Sequence, residues 1–153
     1  MGGLINIMNL TCIFCSIIQK DIPSHILYED EKVICILDKY PISKGHFLVI
    51  PKKHLEEFYE VDDETLASVM KVAKNIGYKV AQLYNADGMT FMQNNGVFKD
   101  VPHYHLHGFP RFKNDGFKWI EPNYEPTEEE LYETFQSINN LFFNIFLIAF
   151  ANL

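Results

Sequence analysis

This sequence is short of basic residues and of cysteine, and each shortage excludes a class of protein. Its 13 lysines and arginines face 20 aspartates and glutamates, which gives a formal net charge of -7. Broad nucleic-acid binding needs a basic face, so we expect no nucleic-acid partner. The cysteines are Cys12, Cys15 and Cys35. An odd, small number without a secretory signal indicates reduced thiols and predicts a cytoplasmic protein.

The sequence also has no apolar run of the length that crosses a membrane. The C-terminal segment LFFNIFLIAFANL is apolar on all sides, but it has 13 residues and contains Asn144. A membrane span needs about 17 to 25 apolar residues. We therefore expect a buried or partner-facing helix and no membrane contact. What the chain does have is 48% hydrophobic residues in a length of 153, enough for one well-filled core.

The spacing of apolar residues predicts an α+β fold. Helical spacing occurs in CIFCSIIQK, from a candidate N-cap at Asp62 to about Tyr84, and after a capping box formed by Thr127 and Glu130. Strand patterns occur in HILYE, VICIL, GHFLVIP, GMTFMQNN and PHYHLHGFP. The order helix, strands, long helix, strands, helix is typical of an α+β domain.

The segment VPHYHLHGFPR contains three histidines at two-residue spacing, His103, His105 and His107. Side chains of a strand alternate between its faces, so a strand would place all three rings on one face and Tyr104 and Leu106 on the other, buried one. Three interpretations follow: a solvated polar face, a metal site built from all three rings, or covalent catalysis by the central imidazole. The spacing by itself leaves the choice between the last two open.

A second candidate metal pattern lies near the N-terminus. Cys12 and Cys15 form a Cys-x-x-Cys pair, which on its own is equally compatible with two buried thiols. With His54 and one histidine of the triplet, the pair could complete a closed Cys₂His₂ tetrahedron.

Two segments carry a resemblance to a known family. The run from CIFCSIIQK to FLVIPKKH, together with PHYHLHGFPR, resembles the histidine triad (HIT) family of nucleotide hydrolases and transferases, over roughly Cys12 to Arg111. The resemblance implies a HIT-like fold, with an antiparallel sheet, one long helix, a short N-terminal helix and an added C-terminal helix. The HIT domain would cover residues 12–112, after a tail at 1–11 and before an extension at 113–153. It also implies a homodimer.

The family's chemistry implies a nucleotidyl hydrolase or transferase acting on AMP-containing substrates, either dinucleoside polyphosphates or nucleoside phosphoramidates. The middle histidine, here His105, would attack the α-phosphate and form a nucleotidyl-histidine that water then resolves. His107 would assist by hydrogen bonding to a phosphate oxygen or to the leaving group. The resemblance further implies nucleotide contacts and a structural zinc. The nucleotide-binding residues would be Phe14, Ile17, Leu37, Asp38, Asn94, Lys99 and His107, and the zinc ligands Cys12, Cys15, His54 and His103.

Plainer interpretations of some of these residues remain. Asp38 could be a turn residue and Phe14 and Ile17 ordinary core residues, and we expect His25 and His46 at the surface.

The chain departs from the family in the loop before the triad, where NNGVFKDVPH is about two residues shorter than usual. Lys99 and Asp100 stand where relatives carry Gly-Gln followed by Ser, Thr or Glu. Asp100 would repel an anion unless it points away, and Lys99 could act only as a point charge. The altered loop favours one alternative function, a non-catalytic nucleotide-binding module. The histidine triplet leaves a second alternative, a three-histidine metallohydrolase.

Overall fold

The fold is taken from a computed structural model, which describes the backbone of residues 12–151 and the side chains of residues 12–141. The predicted N-terminal tail and most side chains of the apolar C-terminal segment lie outside the described residues. The elements are α1 (Ile13–Ile18), β1 (Ile26–Glu29), β2 (Val33–Leu37), β3 (Phe47–Pro51), α2 (Asp63–Tyr84), β4 (Gly88–Met92), β5 (Leu106–Arg111) and α3 (Glu128–Ala151). Short 3₁₀ turns lie at Phe58–Glu60 and Gly96–Phe98.

The five strands form one antiparallel sheet in the order β1-β2-β3-β5-β4, which confirms the predicted α+β fold class. The predicted N-cap of α2 is also confirmed, because the side chain of Asp62 accepts a hydrogen bond of 2.9 Å from the backbone N–H of Thr65. The helix ends at Asn85, which adopts the left-handed conformation typical of a helix C-terminus.

Alternate residues of β2 and β3 face opposite sides of the sheet. The helix α2 covers one side and α1 covers the other. On one side the core contains Val33 and Val49 with Val69 and Ala73 of α2. On the other side Ile34, Ile36, Leu48 and Ile50 pack with residues of α1. A strand with both faces covered reads as a continuous apolar run, which explains the unbroken VICIL and FLVIP segments.

The histidine triplet lies on the α1 side of the sheet. Tyr104 and Leu106 are buried in the core with α2, as predicted, and His107 lies opposite Leu48 in the pairing of β3 with β5. The predicted strand extent is wrong, however: β5 begins at Leu106, so His103 and His105 precede it. The backbone N–H of Tyr104 bonds to the carbonyl of Leu55 instead of to a neighbouring strand. Similarly, β4 ends at Met92 and does not include the segment QNN.

The chain divides into two compact units, the second beginning at Gly116. In this second unit the predicted capping box is confirmed: Thr127 Oγ1 accepts from the N–H of Glu130 at 3.2 Å, and the Glu130 carboxylate accepts from the N–H of Thr127 at 2.7 Å. The helix α3 follows directly. Over the described residues, no helix is both long enough and apolar enough to cross a membrane.

Candidate functional site

The four predicted metal ligands lie together beside α1. The ligand atoms of Cys12, Cys15, His54 and His103 are all within 4.8 Å of one another. Sγ of Cys12 is 3.4 Å from Nδ1 of His103, and Sγ of Cys15 is 3.2 Å from Nδ1 of His54 and 3.6 Å from Nδ1 of His103. Around a tetrahedral zinc, with Zn–S near 2.3 Å and Zn–N near 2.05 Å, sulfur and nitrogen are about 3.5 Å apart. The donor set and its spacing therefore fit zinc.

The ring of His103 is oriented for metal binding by its second nitrogen. Nε2 lies 2.8 Å from the carbonyl oxygen of Pro51, which can only accept a hydrogen bond, so Nε2 carries the proton and Nδ1 the lone pair. Burial lowers the pKa of His103 to about 4 and keeps the ring neutral. Burial and the neighbouring Cys12 raise the pKa of the Cys15 thiol to about 11. A thiolate at Cys15 therefore needs a cation beside it.

This arrangement separates His103 from the other two histidines of the triplet. Among the described residues, the clusters that could hold a metal place His103 with the cysteines, whereas His105 and His107 fall in other groups. A single metal bound by all three rings would have to draw His103 away from Cys12 and Cys15. The geometry thus gives no support to a three-histidine metal centre.

His105 has one nitrogen committed to the backbone. Its Nδ1 lies 2.7 Å from the carbonyl oxygen of His103, so Nδ1–H donates and the lone pair of the neutral ring is on Nε2. The ring is buried and meets the ring of Phe14 edge-on, with centroids 5.0 Å apart. A fixed tautomer with the electron pair on the other nitrogen is the arrangement that a nucleophilic imidazole requires.

His107 is the end of a hydrogen-bonded chain that begins at the backbone of Ile42. The Ile42 N–H donates to Nδ1 of His46 at 3.1 Å, so neutral His46 is protonated on Nε2. Nε2 of His46 lies 3.0 Å from Nδ1 of His107, which accepts, leaving the His107 proton on Nε2. Burial lowers the pKa of His107 to about 4 and that of His46 below its usual value, so both rings are neutral near pH 7.

His46 is a residue that the sequence argument missed. We expected it at the surface, but it is 2% exposed, because it packs between His107 and Phe109. Its Nδ1 is also 3.5 Å from a carboxylate oxygen of Asp38. A signal existed in the sequence: His46 precedes β3 by one residue and shares the numbering parity of Leu48, which faces the same side of the sheet as the triplet.

The loop that contains Lys99 places Asp100 against the candidate nucleophile. One carboxylate oxygen of Asp100 is 3.1 Å from Nε2 of His105. Partial burial opposes its ionisation, but the positive charge that His105 carries when both of its nitrogens are protonated lowers the pKa of Asp100 overall. At this distance the carboxylate accepts a hydrogen bond from a protonated Nε2 and repels the lone pair of the neutral ring. Lys99 does not compensate for this charge, since its ammonium group pairs with the carboxylates of Glu56 and Glu57. Asp100 thus points toward the site, the orientation in which a carboxylate repels an anion.

The remaining predicted nucleotide-binding residues differ in their surroundings. Phe14 and Ile17 belong to the α1-side core, and Leu37 is 38% exposed at the end of β2. Asp38 accepts a hydrogen bond of 2.8 Å from the N–H of Tyr40, as a turn residue does, while its other oxygen lies 3.9 Å from His107. The structure brings Phe14 and Asp38 to the histidines, whereas Asn94 is exposed in the loop after β4.

Comparison with known proteins identifies a family. The model of the HIT domain family matches residues 19–114, a stretch that begins after the two cysteines. An adenosine 5'-monophosphoramidase of Schizosaccharomyces pombe is 35% identical over 127 residues, covering 80% of this chain and 91% of that protein.

Two solved structures show the same fold. The crystal structure of a HIT family member from Bacillus subtilis is 37% identical, with a TM-score of 0.78 over 85% of this chain and 96% of that one. A Zn-bound histidine triad family protein from Mycobacterium smegmatis is 34% identical, with a TM-score of 0.67 over 76% of this chain and 86% of that one.

Proposed function

We propose that this chain, which belongs to the HIT domain family, is a nucleotidyl hydrolase or transferase that acts on AMP-containing substrates through a covalent nucleotidyl-histidine. The observation that carries the proposal is the state of His105, whose Nδ1–H is held by the carbonyl of His103 at 2.7 Å so that Nε2 has the lone pair. The similarity to a protein named adenosine 5'-monophosphoramidase supports an adenylate substrate.

In the proposed reaction the lone pair of His105 Nε2 attacks the α-phosphorus. The bond from phosphorus to the leaving group breaks, and its electron pair leaves with that group. His107 Nε2–H donates to a phosphoryl oxygen or to the leaving group, and His46 holds the tautomer that makes this donation possible. Water then attacks the phosphorus, the bond from phosphorus to Nε2 breaks with its electron pair returning to His105, and the proton of the water passes to solvent as AMP is released.

The nucleotide would bind beside α1 and the end of β2. We propose that Phe14, Ile17 and Leu37 form an apolar pocket for the base, which matches their positions near His105 and at a strand end. Asp38 would bind the ribose hydroxyls. Asn94 and Lys99 would lie near the phosphates, with Lys99 acting through its field because its ammonium group is paired with Glu56 and Glu57.

The chain's metal would be a structural zinc held by the two cysteines, His54 and His103. Four protein ligands fill a tetrahedral site and leave no position for a catalytic water, so the ion would stabilise the fold and place His105 two residues from a fixed point. Zinc thiolates persist in a reducing compartment, in agreement with the predicted cytoplasmic location. Metal analysis of the purified chain, expected to give one zinc per chain, tests this part.

We also propose a homodimer formed through α2 and β4. The edge strand β4 exposes Phe91, and α2 exposes Met70 and Tyr78 on the same side, around a shallow apolar groove. The groove is lined by Met70, Ala73, Lys74, Gly77, Tyr78, Met89 and Phe91. Light scattering of the wild type should give the mass of two chains, and Phe91→Asp should shift it toward one. A monomeric wild type would contradict the proposal.

The experiment for the main proposal measures AMP release from adenosine 5′-phosphoramidate and from a diadenosine polyphosphate. The wild type should release AMP, and His105→Ala should not, while His25→Ala removes an exposed histidine and serves as the matched control. Equal release by wild type and His105→Ala would remove His105 as the nucleophile.

A second function, a nucleotide-binding module without turnover, is favoured by one observation. The carboxylate of Asp100 lies where a phosphate must approach Nε2 of His105. AMP binding without AMP release from either substrate would decide for this second function.

A further inference from the structure

Asp100 brings a carboxylate to the candidate nucleophile, 3.1 Å from Nε2 of His105. We propose that Asp100 is a specificity-determining residue, which favours substrates whose leaving group is an amine over substrates whose leaving group is a polyphosphate. The inference rests on the proposed nucleotidyl transfer through His105. It names which of the two substrate classes the site is built for.

The position of the carboxylate is the first part of the argument. Its oxygen is 3.1 Å from Nε2 of His105, the atom that must bond to phosphorus. The Asp100 side chain is 73% exposed, so it can turn aside when a substrate enters, but an aspartate side chain is short and its charge stays near the reacting atoms. Every substrate therefore reacts beside a negative charge.

The surroundings of the loop do not neutralise this charge. The ammonium group of Lys99, the neighbouring cation, forms ion pairs with Glu56 and Glu57. The N–H of Gly96 also donates to Glu57 at 3.0 Å, and the side chain of Asn95 accepts from the N–H of Phe58 at 2.9 Å. These bonds tie the loop to the turn at Phe58–Glu60, where the one ammonium group of Lys99 is shared by two carboxylates. The lowered pKa of Asp100 keeps its carboxylate ionised near pH 7.

The two leaving groups respond to such a charge in opposite ways. In a phosphoramidate, the nitrogen is first protonated from solvent. The bond from Nε2 to phosphorus forms as the phosphorus–nitrogen bond breaks, and the amine keeps that electron pair and leaves as a neutral molecule, while His107 Nε2–H stays hydrogen-bonded to a phosphoryl oxygen. In a dinucleoside polyphosphate, the leaving nucleotide carries several negative charges away from the same phosphorus. Coulomb repulsion falls only as the inverse of distance, so Asp100 disfavours the second reaction more strongly.

The test is the ratio of kcat/KM for adenosine 5′-phosphoramidate to that for diadenosine tetraphosphate. Asp100→Asn keeps the shape of the side chain and removes its charge. We expect it to raise the rate with the tetraphosphate and lower the ratio about three- to tenfold, a modest change because the carboxylate is exposed and screened. Asp100→Lys should lower the ratio further. Asp21→Asn, in an exposed loop after α1, makes the same change in net charge and should leave the ratio unaltered.

A ratio within twofold of the wild type in both Asp100 variants overturns the inference while leaving the proposed function in place. Equal losses on both substrates also overturn it, since they would show that Asp100 only positions the His105 ring. An absence of AMP release from either substrate, by wild type and variants alike, overturns the proposed function and this inference with it. High salt gives an internal check: the ratio should fall with ionic strength in the wild type and much less in Asp100→Asn.

Discussion

His103 and His105 are two residues apart and face the same side of the sheet, but their surroundings differ. His103 donates from Nε2 to the carbonyl of Pro51 and turns Nδ1 to the two cysteines. His105 donates from Nδ1 to the carbonyl of His103 and turns Nε2 toward the loop. A single backbone carbonyl therefore decides, for each ring, which nitrogen has the lone pair. The same side chain becomes a candidate metal ligand in one place and a candidate nucleophile in the other.

The first prediction breaks this comparison at the catalytic end. His105→Asn should lower AMP release by about 10⁴-fold or more, because the attacking lone pair is lost, while the zinc content of the chain stays unchanged. His103→Asn should release zinc while AMP release is retained. Steady-state kinetics with metal analysis of both variants makes the measurement. Loss of zinc from His105→Asn would show that the two histidines are not separate sites.

The second prediction concerns the ligand cluster. Cys15→Ser, or removal of the metal with a chelator, should lower the free energy of unfolding by more than about 4 kcal/mol, since loss of a structural metal belongs to the largest single effects on stability. Thermal unfolding with and without added zinc measures it. Cys35→Ser replaces a buried thiol outside the cluster and controls for lost burial. A wild type indifferent to chelation would contradict the structural role of zinc.

The third prediction concerns the pH dependence of stability, through His107, the third histidine of the triplet. The pKa of His107 falls from 6.5 to about 4 on folding because the ring is buried. Between these values the unfolded chain binds more protons, so stability should be full above pH 6.5 and decrease as the pH falls toward 4, by about 3 kcal/mol for this group. Denaturant unfolding at several pH values should show a slope that His107→Gln reduces and His25→Gln does not.

The fourth and smallest effect tests His46, which donates a hydrogen bond to His107. His46→Phe keeps a buried ring but cannot donate to Nδ1 of His107, so we expect about a tenfold fall in kcat with little change in KM. His46→Gln retains a donor and should recover part of the rate. Equal activity of both variants with the wild type would remove His46 from the proposed reaction.

Much of the fold could be predicted because its signals are local. The N-cap at Asp62, the capping box of Thr127 and Glu130, and the apolar strands each depend on neighbours within a few residues. The strand start at Leu106 could not be predicted in this way. The residues before it satisfy their backbone through distant partners, such as the bond from Tyr104 N–H to the carbonyl of Leu55.

The residues of the candidate site likewise divide into those that the sequence could predict and those that it could not. The grouping of Cys12, Cys15, His54 and His103 follows from donor chemistry and a family motif, both of which are visible in the sequence. The burial of His46 and the orientation of Asp100 depend on which side of the sheet a residue faces and on how a loop is tied to a distant turn. Pairings across 42 or 61 positions, such as Lys99 with Glu57 and His46 with His107, leave no local pattern.

By itself, the sequence determined which donors this protein has, because residue type is a property of the chain. Only the tertiary structure decided which nitrogen of His103 and of His107 carries the proton, because that depends on the carbonyl of Pro51 and on the ring of His46, which distant segments of the chain supply. It also decided that Asp100, and not Lys99, meets His105. The charge at the reacting centre is therefore set by packing of the loop, since the ammonium of Lys99 is drawn to Glu56 and Glu57.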